Sequence, residues 1–275
     1  MKNFSFIIHY IVAMLLLSGI PPYRAEAAGS PFANPPAAYL LQVNGETFRE
    51  RNSNTRRPPA SLTKIMTALI IMERCDLEEV VVVSRGAAQE TGSRIGLRQG
   101  ERLTVRDLLA ATLMASANDA CRALADHEAG SQKNFVAMMN ARARKLQMKN
   151  TRFSNACGHD SANLYSTAHD LAILTTNAMQ MPLFTKLVAK RSMRIKTKGG
   201  RSYYLKNKNR LIGNYPGAQG VKTGTTPKAG QCLVAIAERK DRKVLLVIMH
   251  AKNRWRTAPA MLDAAFAASL KSLAK

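Results

Sequence analysis

Pro59-Ala60-Ser61-Leu62-Thr63-Lys64-Ile65-Met66-Thr67-Ala68 is the stretch on which the reading of this chain turns. It predicts a helix that opens near Ser61 and runs to about Arg74, with Ile65, Leu69 and Met72 at helical spacing. Positions three apart share a helix face, so the Lys64 amine can reach the Ser61 hydroxyl. A serine alone is a poor nucleophile, because its proton must leave as the oxygen attacks. A neutral lysine, its pKa lowered by burial or by a neighbouring cation, can take that proton. A serine at a helix start also lies among free backbone N–H groups that can polarise a carbonyl. On its own, Ser-x-x-Lys fits a helix cap and a surface lysine equally well.

Two further stretches give it weight. Ser116-Ala117-Asn118 falls where one predicted helix, Thr104 to Met114, ends and the next, Ser116 to Glu128, begins. A hydroxyl there can relay a proton between Lys64 and a leaving amine, and the Asn118 amide can hold a peptide carbonyl. An N-cap is the plainer reading of the same serine. Lys222-Thr223-Gly224 reads as a strand edge. An extended substrate can pair with such an edge, a lysine and threonine beside it suit a carboxylate, and Gly224 lets the backbone approach closely. The plainer reading is a basic edge that resists aggregation.

Outward from these motifs the chain alternates between β and α patterns. Tyr39–Val43 and Glu46–Glu50 read as strands around an Asn44-Gly45 hairpin turn. Val80–Val83 is a short strand, Thr104 with Asp107 marks a helix start, and Ser131–Gln147 and Thr167–Gln180 are amphipathic helices. Beyond Leu183 the chain reads as basic and strand-like. Val234–Ala237 and Val244–Met249 form a hairpin pattern, and Trp255–Leu273 a closing helix. Strands at both ends and helices between them predict one sheet built from the two ends with a helical lobe inserted.

The N-terminus carries Lys2, an apolar run from Phe4 to Ile20, the break Pro21-Pro22, and the small-x-small pattern Ala25-Glu26-Ala27. That reads as a secretory signal over residues 1–27, with cleavage before Ala28 expected and an uncleaved membrane anchor as the alternative, and it places the working protein outside the cytoplasm. The 275-residue chain has a net charge of +23, which suits a polyanionic neighbourhood: acidic wall polymers or anionic lipid head groups. Export makes nucleic acid the least suitable partner. The cysteines Cys75, Cys121, Cys157 and Cys232 lack the paired spacing of a zinc site, and buried free thiols are the expectation, with disulfides as the alternative in an oxidising compartment.

In the order Ser-x-x-Lys, Ser-x-Asn, Lys-Thr-Gly, the three motifs are those of the penicillin-recognising serine enzymes. The chain resembles the D-alanyl-D-alanine carboxypeptidases, the low-molecular-mass penicillin-binding proteins. The resemblance extends over about residues 37 to 270 and includes Gly92-Ser93-Arg94-Ile95-Gly96-Leu97, Ser116-Ala117-Asn118-Asp119-Ala120, Met148-Lys149-Asn150-Thr151-Arg152-Phe153 and Gly220-Val221-Lys222-Thr223-Gly224. It implies an α/β fold of the β-lactamase/transpeptidase type: an antiparallel sheet with flanking helices and an inserted all-helical lobe, about residues 85–180, within a catalytic domain over 28–275. It implies Ser61 as acyl-ester nucleophile, Lys64 as proton acceptor, Ser116 as relay, and Asn118, Lys222 and Gly224 as substrate contacts. The oxyanion hole would use the backbone N–H groups of Ser61 and Thr225, and Thr223, Thr225 and Arg254 would hold the terminal carboxylate. The implied substrate is a peptidoglycan stem peptide ending in D-Ala-D-Ala, with β-lactam antibiotics as covalent inhibitors and neither metal nor cofactor.

Two departures stand out. The family's His-Gly-Leu-Asp stretch is replaced by Cys157-Gly158-His159-Asp160, which leaves the local loop open. The chain ends at Lys275, so the C-terminal β-rich domain and anchor helix of larger members are not expected. A class A β-lactamase would need a glutamate to activate the deacylating water, and no Glu lies between Glu128 and Glu238. A D,D-endopeptidase would use the same chemistry as a carboxypeptidase. A non-catalytic wall-binding or penicillin-binding protein is the rival outside enzymes, favoured by the basic stretch from Lys186 to Arg210 and opposed by the intact motifs.

Overall fold

The computed structural model describes residues 32 and 34–268. The secretory signal read from residues 1–27 lies outside the described residues. Nine strands and eight helices follow in chain order among the described residues: β1 (Ala38–Val43), β2 (Glu46–Arg51), α1 (Lys64–Arg74), β3 (Val80–Val82), α2 (Arg85–Ala88), β4 (Arg102–Thr104), α3 (Val105–Met114), α4 (Asn118–Ala129), α5 (Gln132–Lys145), α6 (Ala168–Ala178), α7 (Pro182–Ala189), β5 (Ser192–Lys196), β6 (Ser202–Lys206), β7 (Ala218–Thr226), β8 (Gly230–Arg239), β9 (Arg242–Ala251) and α8 (Arg254–Ala267).

The main sheet is antiparallel in the order β2-β1-β9-β8-β7. It joins the two ends of the chain, as the pattern of strands predicted. Side chains alternate across it with a period of two. Leu40, Val234, Ile236 and Val247 enter the large core that includes α1, α3, α4 and α6. Tyr39, Leu41, Leu233, Ala235, Leu246 and Ile248 face the other way, onto Ala258, Met261, Leu262 and Ala265 of α8. Both faces are covered, which is why β8 reads as an unbroken apolar run rather than an alternating one.

Local chemistry sets most boundaries. Asn44 and Gly45 take positive φ (51° and 91°) in the β1–β2 turn. Thr104, Ser131 and Thr167 each accept a hydrogen bond from the backbone N–H three residues on, capping α3, α5 and α6. Three expectations change. The helix expected from Ser61 begins at Lys64, after a 3-10 turn over Ala60–Thr63. The strand-like reading from Leu183 fails at first, since Pro182 at the first helical position starts α7; the basic β5–β6 hairpin follows it. The closing helix ends at Ala267 rather than Leu273 among the described residues. Among the described residues no helix is long and apolar enough to cross a membrane.

Candidate active site

Ser61 stands in the 3-10 turn that leads into α1. In a 3-10 helix, side chains three apart eclipse one another, so Ser61 and Lys64 meet more directly than an α-helix would bring them. Lys64 Nζ lies 3.1 Å from Ser61 Oγ. Two glycines let other backbones close on this turn. Gly158 has φ +89°, and a Cβ there would fall 2.0 Å from the Ala60 carbonyl oxygen and 2.9 Å from Ser61 N. A Cβ on Gly224 would come within 3.0 Å of Pro59 O and 3.1 Å of Ser61 N. The serine turn is thus wedged between the Cys157-Gly158 loop and β7.

Lys64 is fully buried. Besides Ser61 it donates to Asn118 Oδ1 at 2.6 Å and to the Cys157 carbonyl at 2.5 Å. Burial, aided by the positive charge of Lys208, lowers its pKa to about 7; Glu90 and Asp119 pull the other way. A neutral amine has two N–H groups and one lone pair. The two carbonyl-type oxygens can only accept, so they occupy both N–H groups. The lone pair is left for the Ser61 hydroxyl. Asn118 is held in turn by Nδ2 donating to the Thr91 carbonyl at 2.6 Å.

Ser116 occupies a left-handed conformation (φ 58°) between α3 and α4. It is no cap: α4 starts at Asn118 with Ala117 before it and without a side-chain cap bond. Its hydroxyl instead accepts from Lys222 Nζ at 2.8 Å. Lys222 is 1 % exposed, and burial together with Lys64, Lys208 and Arg254 drives its pKa well below the usual lysine value. Its other bond goes to the Thr223 carbonyl at 2.9 Å. The backbone of β7, last in the sheet order, carries Thr223, Gly224 and Thr225 along the wall of the cavity that contains Ser61 and Ser116. That cavity has a volume of about 1050 Å³.

Arg254, the first residue of α8, reaches across to β7. One guanidinium nitrogen donates to the Gly224 carbonyl at 2.5 Å, to Thr225 Oγ1 at 2.8 Å and to the Cys232 carbonyl at 3.0 Å. Its Nε is buried without a partner. All nine residues picked from the sequence are therefore in or around one cavity: Ser61, Ser116, Thr223, Gly224, Thr225 and Arg254 line it, and Lys64, Asn118 and Lys222 lie directly behind, bonded to its serines or to each other.

Sequence reasoning missed several contributors. The Cys157 carbonyl and Gly158 sit in the stretch that reads only as a family departure. Its conformation is set by Asn155 Oδ1, which accepts from the N–H groups of Gly158 (2.7 Å) and His159 (3.0 Å), and by Asp160, which accepts from Thr226 Oγ1 (2.6 Å) and Lys228 N (3.1 Å). His159 Nε2 meets Glu90 at 2.8 Å. Asp119 gathers the N–H groups of Ile95, Gly96 and Leu97 at 3.1, 2.9 and 3.0 Å, which fixes the Gly92–Leu97 loop. The expectation of free thiols is wrong for two cysteines: Cys121 of α4 and Cys157 form a disulfide, while Cys75 and Cys232 are free. Their spacing of 36 residues gave no hint of pairing, because the fold alone brings the loop onto α4.

A hydroxyl on a buried lysine whose pKa is lowered, a second hydroxyl on a second buried lysine, and a strand edge beside both define a serine acyl-transfer site of the penicillin-recognising type. The chain matches the D-alanyl-D-alanine carboxypeptidase family over residues 37–253, and it belongs to that family. The D-alanyl-D-alanine carboxypeptidase DacF of Bacillus subtilis is 36% identical over 269 residues, covering 93% of this chain and 69% of that one. A D-alanyl-D-alanine endopeptidase of Pseudomonas aeruginosa is 35% identical over 251 residues, covering 86% and 76%. The solved D-alanyl-D-alanine carboxypeptidase from Mycobacterium tuberculosis H37Rv superposes with a TM-score of 0.82 at 31% identity, covering 89% of this chain and 96% of that one.

Proposed function

We propose that the chain is a serine-type D-Ala-D-Ala carboxypeptidase that trims the terminal D-alanine from peptidoglycan stem peptides outside the cytoplasm. The observation that carries the reading is the Lys64 environment: the amine is buried, its pKa is lowered to about 7, and Asn118 Oδ1, the Cys157 carbonyl and Ser61 Oγ surround it, so that in its neutral form a lone pair is free for Ser61. Ser61 Oγ attacks the carbonyl between the two terminal D-alanines as Lys64 takes its proton. The carbonyl oxygen gathers charge against the backbone N–H groups of Ser61 and Thr225. Ser116, bonded to Lys222, relays the proton that Lys64 took from Ser61 to the leaving D-alanine amine, which leaves Ser116 protonated and Lys64 neutral again. Water then attacks the ester, Lys64 takes a proton from the water and returns it to Ser61 Oγ as the acyl group leaves, which restores the hydroxyl and the neutral amine.

Thr223, Thr225 and Arg254 hold the terminal carboxylate. Arg254 Nε, buried and unpartnered, is a donor waiting for an acceptor of that kind. Asn118 takes up a substrate backbone carbonyl with its remaining N–H while its oxygen positions Lys64. A β-lactam places its own strained carbonyl and carboxylate on the same groups and acylates Ser61. The basic stretch from Lys186 to Arg210 adds electrostatic contact with an anionic wall or membrane surface.

The mature protein incubated with a pentapeptide ending in D-Ala-D-Ala, and separately with labelled penicillin, should release D-alanine and take up one label. D-alanine release by Ser61→Ala would refute the nucleophile assignment. A crosslinked peptide dimer in the same assay tests the endopeptidase reading, which the Pseudomonas aeruginosa relative favours. Dimer cleavage faster than pentapeptide trimming would decide for it.

A further inference from the structure

The cavity beside Ser61 carries more positive charge than one terminal carboxylate can use. Arg191, Lys206, Lys208, Arg210 and Arg254 line it, and no carboxylate does. Some arginines elsewhere are paired, among them Arg74 with Glu128, Arg122 with Asp126, Arg142 with Glu73, and Arg201 on the same β5–β6 hairpin with Glu101. The side chains of Arg191, Lys206 and Arg210 have no hydrogen bond and no ion pair among the described residues.

Local structure brings these three to the cavity. Arg210 stacks on the Trp255 ring with its guanidinium carbon 5.7 Å from the centroid, on the ring that Arg254 also approaches at 5.0 Å. Gly213 has φ +75°, and a Cβ there would fall 2.6 Å from Arg191 Nε, so the loop after Arg210 packs closely on Arg191. Lys206 lies opposite Ser192 at the end of the hairpin that reaches the cavity, and Ser192 lines it too. Lys208 donates to Ser93 and has its pKa lowered by burial and by Arg254. Like charges gathered without a counter-charge repel one another, and an anion entering the cavity relieves that repulsion.

We infer that Arg191, Lys206 and Arg210 form a second anion subsite that reads a side-chain carboxylate of the stem peptide, upstream of the D-Ala-D-Ala end. The inference rests on the carboxypeptidase reading and narrows its substrate class: a peptide whose third residue carries a free carboxylate on its side chain is preferred over one that ends there in an amine alone. Arg254 with Thr223 and Thr225 takes the first carboxylate, and the hairpin cations take the second. A charge-assisted contact of this kind gives about tenfold or more in kcat/KM.

Three synthetic pentapeptides ending in D-Ala-D-Ala test it: one with diaminopimelic acid at the third position, one with its side-chain carboxylate amidated, and one with lysine, which lacks that carboxylate. Wild type should favour the free carboxylate about tenfold over both others, and the ratio should shrink as salt is raised from low to high ionic strength. In R191A/K206A the ratio should fall towards one, and K206E should invert it. Equal kcat/KM for all three peptides in wild type overturns the subsite while leaving the carboxypeptidase reading standing, as does a preference unaltered in both variants. Loss of the preference on amidation but not in the variants also overturns it, since other groups then read the carboxylate. No D-alanine from any of the peptides overturns the carboxypeptidase reading itself, and the subsite with it.

Discussion

Two cationic regions share the cavity wall and treat charge in opposite ways. Behind Ser61, Lys64 and Lys222 are buried, and their environment disfavours the charge: burial and neighbouring cations lower both pKa values, and carbonyl or hydroxyl oxygens take their N–H groups. On the far side, Arg191, Lys206 and Arg210 are exposed, and among the described residues none of them is in an ion pair. The same type of side chain thus suits the proposed base in one place and the proposed anion subsite in the other. The difference lies in solvent access, since a desolvated ammonium is penalised and a hydrated one is not.

The largest way to break this contrast is to delete the base. Lys64→Ala should lower kcat/KM for D-alanine release by about 10³-fold or more, within the range for removing a positioned proton acceptor that also activates the nucleophile. Penicillin labelling of Ser61 should slow in parallel. Near-wild-type labelling in Lys64→Ala would show that Ser61 is activated from elsewhere, with Lys222 through Ser116 as the remaining buried amine.

The backbone that frames the base gives the next effect. The Cys121–Cys157 disulfide ties α4, whose first residue Asn118 accepts from Lys64, to the loop whose Cys157 carbonyl also accepts from it. It closes 36 residues, and a link of that span stabilises a fold by about 4 kcal/mol. Cys121→Ser with Cys157→Ser should lower stability by about that amount in denaturant titration and slow acylation, because two of the Lys64 acceptors can then drift apart. Unchanged acylation in the double variant would confine the disulfide to stability. Nothing comparable is expected on the exposed side, where no covalent tie holds Arg191, Lys206 or Arg210.

How much of this was readable beforehand follows from the same contrast. Ser61, Lys64, Ser116 and Lys222 announce themselves because each chemistry needs a particular residue at a fixed spacing along one short element. Sheet and helix positions were legible too, since the period-two and 3.6-residue patterns follow from burial on one side or both. The Cys157 carbonyl was not legible: any residue has a carbonyl, and only the path of the chain aims this one at Lys64. Gly158 looked like an ordinary loop glycine, because the Ala60 carbonyl that forbids a Cβ there is 98 residues away in sequence. The start of α7 was missed because a run of lysines and arginines beginning at Lys186 outweighed the Pro182 start signal. The hairpin cations were seen as a basic stretch, and only the fold separates those that enter the cavity from those, such as Lys196 and Lys198, that do not line it.

The smallest effect joins the two regions. Lys208 lines the cavity, yet its charge is one of the causes that lower the Lys64 pKa to about 7. Catalysis needs neutral Lys64, so kcat/KM should rise with pH through a midpoint near 7 and level off above it. Lys208→Ala removes a positive charge, which makes protonated Lys64 less costly and raises its pKa. The midpoint should therefore move up, by a few tenths of a unit on the scale of a single partly screened charge. Activity should fall at neutral pH and approach wild type on the alkaline plateau. Lys208→Arg keeps the charge and should restore the midpoint. A midpoint that stays put in Lys208→Ala, or moves down, would mean that burial alone sets the base and that the exposed cations act only on what enters the cavity.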